Sequence, residues 1–159
     1  MTMSPQEQEE RQRVVRAAYS WLGTYYHHRG RVKGAGVDCL TILAEVFTEA
    51  GLIPQVDIPF YPKDWHLHRD AERYLDGLFQ YAAEIEGPPL PGDIVLWRFG
   101  RCYSHGAIVV EWPMVIHACA GRNVVLEDVE KATWLTHIGE NTEDQGKPRP
   151  RKYFSFWGR

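Results

Sequence analysis

One change of hydrophobic period constrains this chain more than any other feature. Before residue 88 apolar residues recur every third or fourth position, and from residue 94 onward they recur every second. "IVLWRF" (94–99), "SHGAIVVEW" (104–112), "MVIHACA" (114–120) and "NVVLEDV" (123–129) predict consecutive strands, and "RKYFSFW" (151–157) a last strand, at an edge with one solvated face. The cluster "PPLPGD" at 88–93 is the turn between the two regimes. Upstream, "SPQE" at 4–7 forms a capping box with Pro5 at the first helical position. The helix it starts carries Val14, Ala18, Trp21 and Leu22 on one stripe and stops at Gly23. A second helix is expected from about Asp38 to Ala50, closed by Gly51. Only Thr41, Glu45, Thr48 and Glu49 interrupt its apolar surface, so it must be central and mostly buried. Residues 24–37 and 52–67 read as loops, and 68–86 has helical spacing. Helices followed by an antiparallel meander make an α+β domain, expected to be one unit over 1–159.

Composition narrows the function classes. With 159 residues the chain can bury a sizeable core, and 44% hydrophobic residues suit a globular protein. A net charge of −3 gives no basis for general nucleic-acid binding. No run reaches the roughly 18 apolar residues of a membrane span. The N-terminal "MTMSPQEQEERQR" lacks the apolar core of a signal peptide, so the expectation is cytosolic synthesis, or export without a standard signal. Three cysteines, Cys39, Cys102 and Cys119, are too few and too odd in number for a disulfide framework.

The stretch "GAGVDCLTILAEVF" (34–47) puts an Asp–Cys pair at the mouth of the buried helix. Asp38 is a good N-cap, which places Cys39 in the first turn, where unpaired N–H groups and the helix dipole favour a thiolate. A thiolate nucleophile needs a base. Of seven histidines only His105 and His117 fall on predicted strands. For both rings to share a face the hairpin between them must carry an odd residue. Either a three-residue loop (Trp112–Met114) or a bulge would pair Val109 with His117. Given that, His105 can be the base and His117 its orienting partner. Cys102 and Cys119 read as small core residues.

Taken in order, "WLGTYYHHRG", "GVDCLTILAEVF", "PGDIVLWRFG", "SHGAIVVEW" and "VIHACAG" resemble the NlpC/P60 family of papain-like cysteine peptidases over most of the chain. The resemblance implies a papain-like fold with the cysteine at the start of a central helix packed on an antiparallel sheet. It implies Cys39 as nucleophile, His105 as base and His117 as third member, with Tyr26, Asp38 and Ser104 on the substrate side. The implied substrate is a peptidoglycan stem peptide, cut between D-glutamate and a diamino acid, with no metal or other cofactor. Leu40–Thr41 stand where the family usually has Ser–Gly, and Tyr25 replaces a usual proline. The short chain and "HHRGRVKG" are similar to the subgroup of phage tails, prophages and gene-transfer particles, which implies tail proteins as partners and a virion- or tail-associated enzyme acting on the cell wall.

Three rival readings remain open at this level. One is a zinc site drawn from "HH" at 27–28, "HLH" at 66–68 and Cys102 or Cys119, none with a zinc-motif spacing. Another is a tail-assembly component that keeps the fold without turnover. A third is a papain-like amidase or acyltransferase on another substrate. The aromatic loop with Phe60, Tyr61, Trp65 and His66 is expected to shape the pocket.

Overall fold

The computed structural model describes residues 2–57, 75–77, 80–139 and 142–158. Its first helix, α1 (Pro5–Ser20), begins as the capping box requires, with the Ser4 hydroxyl accepting from the Glu7 N–H at 3.1 Å. The helix ends two residues before Leu22, which is therefore exposed rather than on the buried stripe of Val14, Ala17 and Ala18. Gly23 takes a φ of +81°, open to glycine without strain, and the chain turns there. Within the loop expected at 24–37, β1 (Arg31–Val32) and β2 (Gly36–Val37) form a minimal hairpin.

The second helix, α2 (Thr41–Glu49), is shorter than expected, because Asp38 caps the turn that precedes it. The Asp38 carboxylate accepts from the N–H groups of Leu40 and Thr41, both at 2.9 Å. Cys39 thus lies in the turn leading into the helix. The aromatic residues expected to shape the pocket (Phe60, Tyr61, Trp65, His66) and the "HLH" histidines lie outside the described residues.

The sheet has the order β3-β8-β4-β5-β6-β7, antiparallel throughout. Its members are β3 (Ala83–Ile85), β4 (Ile94–Phe99), β5 (Cys102–Glu111), β6 (Met114–Cys119), β7 (Asn123–Asp128) and β8 (Arg151–Ser155). Two expectations are corrected here. Ala83–Ile85 is a strand, not the end of a helix, because it pairs with β8. For the same reason β8 is not an edge, being paired on both sides, by β3 and β4.

Both sheet faces are covered, which explains the unbroken apolar run of β4. Ile94, Leu96, Ile108 and Ile116 meet Val14, Ala18, Leu43 and Phe47 of the helices. Val95, Trp97, Ala107, Val109 and Val115 meet Val129, Ala132 and Leu135, the last from the short helix α3 (Thr133–Thr136). Gly106 is the point of closest approach between α2 and the sheet. A Cβ there would stand 2.7 Å from Leu43 Cδ1 and 3.1 Å from Leu96 Cδ2.

Two register slips set up the site. The β5–β6 turn is the two-residue Trp112–Pro113, pairing Glu111 with Met114. The ladder then slips, so that Val109 faces Val115 and Ile108 faces Ile116, leaving Val110 as the extra residue. The required odd residue is present, but the expected Val109–His117 pairing is not formed. Carried one step further, this register sets His117 across from Ala107, and His105 two residues along on the same face. The second slip separates Trp97↔His105 from Arg98↔Tyr103 and leaves Ser104 out of the β4–β5 ladder.

Candidate active site

The second slip is where the α2 turn meets the strands. Cys39 sits against it, its thiol donating to the Ser104 carbonyl at 3.6 Å. A cavity of about 420 Å³ opens here, with Tyr26, Cys39, Ser104, His105, Cys119 and Arg122 in its wall. The Tyr26 ring shares that wall with the same sulfur. His105 Nε2 lies 2.7 Å from His117 Nδ1, with the rings edge to face. The described structure thus gathers Cys39, His105, Tyr26 and Ser104 around one space, with His117 buried directly behind His105.

Asp38 is placed differently. It is 1% exposed and is not part of the cavity wall. Besides the two N–H groups it caps, its second oxygen accepts from the Arg29 N–H at 2.7 Å. Its carboxylate is committed to holding the Cys39 turn and the Arg29 loop in place.

The electrostatics of the pair run opposite to the sequence expectation of a resting thiolate. Burial, then the Asp38 carboxylate and Cys119, push the Cys39 thiol well above its ordinary value. Two N–H groups, its own and that of Gly106, oppose this and are outweighed. Burial first, then His117 and Arg149, hold His105 well below the usual imidazole range. His117 is lowered to about 4, mainly by burial and secondarily by Arg122. The resting groups are therefore a thiol and neutral imidazoles. Desolvation outweighs the dipole of a nine-residue helix, and the Asp38 carboxylate that caps the preceding turn adds to the desolvation.

Several contributors were not read from the sequence. Glu127 Oε2 lies 3.5 Å from His117 Nε2 and is held by Arg122 at 2.9 Å. A carboxylate on that side favours the proton on His117 Nε2, leaving Nδ1 to accept from His105. Trp134 stacks on His117, with centroids 5.9 Å apart, and meets His105 edge-on. Cys119 Sγ lies 3.3 Å from His117 Nε2. The "HAC" spacing puts Cys119 on the face of His117, and β6–β7 register would have given Glu127. Nothing in the sequence pointed to Trp134. The zinc ligands considered from sequence do not assemble among the described residues. His27 Nδ1 is against the His28 carbonyl, and His28 faces Asp38 at 3.8 Å.

No family model matches the sequence, and no curated protein does. Solved structures do match. The NlpC/P60 domain of the peptidoglycan hydrolase SagA aligns with 76% of this chain and 90% of its own at 21% identity and a TM-score of 0.54. NlpC1 from Trichomonas vaginalis aligns over 96% of this chain at 18% identity and a TM-score of 0.58. A lipoprotein-like NLP/P60 protein from Staphylococcus aureus aligns over 94% at 17% identity, with a TM-score of 0.55.

The fold is that of an NlpC/P60 domain.

The resemblance read from sequence is thus borne out at the level of architecture. The chain spans less than half of the Trichomonas and Staphylococcus proteins, 45% and 42% of their lengths. No helix among the described residues is long and apolar enough to cross a membrane.

Proposed function

We propose that the protein is a cysteine peptidase that hydrolyses an amide bond in peptidoglycan stem peptides, with residues 1–159 acting as one catalytic unit. The observation that carries this reading is the 2.7 Å His105–His117 hydrogen bond behind a cavity that Cys39 and His105 share. With the proton on His105 Nε2 donated to His117, Nδ1 of His105 is left as an acceptor. Cys39 turns from the Ser104 carbonyl, gives its proton to that nitrogen and attacks the substrate carbonyl carbon. His117 stabilises the imidazolium through the short hydrogen bond. The Cys39 N–H and the Tyr26 hydroxyl are the donors nearest the developing oxyanion. The leaving amine takes the proton from His105 and a thioester remains. Water, deprotonated by the same ring, releases the acid.

The bond between D-glutamate and a diamino acid is the favoured target. Such peptides carry free carboxylates, and Arg122 supplies a cation in the cavity wall. Cell-wall delivery by a phage or prophage tail remains the expected setting. One observation favours a second reading, a tail component without turnover: the thiol is buried and bonded to a carbonyl rather than to an imidazole. Incubation with peptidoglycan fragments and mass analysis of products separates the two. New amino and carboxyl termini from wild type, absent with Cys39→Ala, support the peptidase. Identical product sets refute it, and products with a transferred acyl group point to a transferase.

A further inference from the structure

We propose that His105, His117 and Cys119 form a binding site for a soft divalent metal ion of the Zn²⁺ class, and that occupancy turns hydrolysis off. The second half rests on the function proposed above, and the binding itself does not. One donor atom from each of the three residues lies within 4.8 Å of the others. Cys119 Sγ stands 3.6 Å from His117 Nδ1 and 3.3 Å from its Nε2, so it lies over the ring. A tetrahedron with Zn–S of about 2.3 Å and Zn–N of about 2.0 Å therefore needs the Cys119 side chain to turn toward Nδ1, a rotation about one bond. The two imidazole nitrogens, 2.7 Å apart across their shared proton, need to part by roughly half an ångström for an ion to replace that proton. One sulfur and two nitrogens form a donor set that suits Zn²⁺, Cd²⁺ or Co²⁺ and not Mg²⁺ or Ca²⁺.

An independent feature points the same way. His117 is backed on its far nitrogen by Glu127 at 3.5 Å, and Glu127 by Arg122 at 2.9 Å. A carboxylate behind a ligating histidine is the arrangement that fixes tautomer and ring orientation in metal sites. The fourth position faces the cavity, whose wall includes Cys119, His105 and Cys39, and is open to water. The off state follows from the ring's two nitrogens. An ion on His105 Nε2 obliges the neutral imidazole to carry its proton on Nδ1, the atom that must accept from Cys39. The base is then blocked while the fold is untouched.

The test uses the whole chain, stripped with a chelator and titrated with Zn²⁺ against a chromophoric competitor. Co²⁺ serves as a second probe for its thiolate-to-metal absorption. One ion per chain is expected, with affinity little changed in Cys39→Ala. In Cys119→Ala affinity should fall by more than the roughly 10–100-fold cost of an outer-shell change, and in Glu127→Gln by roughly tenfold. Far-ultraviolet circular dichroism checks that each variant is folded, and His117→Asn, which removes a different ligand, must also lose binding. Absence of binding, or binding lost in Cys39→Ala and kept in Cys119→Ala, overturns the site. Stem-peptide cleavage is then followed with and without Zn²⁺, each variant scaled to its own metal-free rate. Inhibition reversed by chelator and weakened in Cys119→Ala supports the switch, and a bound ion without inhibition refutes it. If the metal-free chain cleaves nothing, the peptidase reading fails while the ion-binding result stands.

Discussion

At the scale of single residues the chemistry turns on who holds the proton. Cys39 rests as a thiol, so iodoacetamide labelling of it should climb through the alkaline range rather than level off near neutrality. A pH-independent plateau at pH 7, measured by mass spectrometry of the labelled peptide, would show a thiolate instead. The histidines make an opposite demand on stability. His117 titrates near 4 in the folded chain and near 6.5 unfolded, so it is neutral in both states at pH 7. As pH falls from 6.5 to 4 the unfolded chain takes up the proton first, and stability drops by an amount of the order of 3 kcal/mol. Urea midpoints at pH 7.5 and 4.5 should show this loss, reduced in His117→Asn. The Cys39–His105–His117 set was legible because strand spacing and a cap motif localise it. Its protonation was not, since desolvation depends on what the fold packs around each group.

At the scale of elements, α2 and the sheet meet where only glycine fits. Gly106→Ala should force Leu43 aside and cost about 1–3 kcal/mol, read from denaturant midpoints. Cleavage should fall too, because the same displacement moves the Cys39 turn. Elements with strong periodicity, α1 and β4 to β7, were readable from sequence. The strand Ala83–Ile85 was not, because three residues carry too little pattern and the partner is 72 positions away, Ala83 opposite Ser155. The buried β8 misread as an edge follows from that omission. Register was half legible. The need for an extra residue came from geometry, but its location at Val110 depends on packing of both sheet faces.

At the scale of the whole molecule, α1 is fastened to the sheet by a charge. The Arg11 guanidinium, 3% exposed, donates to the Asp93 carboxylate and to the Pro91 carbonyl, each at 2.9 Å, and approaches the Ser155 hydroxyl of β8 at 3.4 Å. Asp93→Ala would leave that buried cation with Glu7, at 2.9 Å, as its remaining carboxylate and should cost about 3 kcal/mol, the low end for a broken buried pair, with a lower melting temperature as the readout. No motif marked Arg11, since an arginine on a helix is usually solvated. The Val110 bulge also reaches beyond its strand. The faces that residues 105 and 117 take depend on the length of chain between them, which cannot change by one. Any single insertion or deletion there, uncompensated, sends the two rings to opposite sides of the sheet, so relatives that share this chemistry should vary here in identity and, in length, only by even steps.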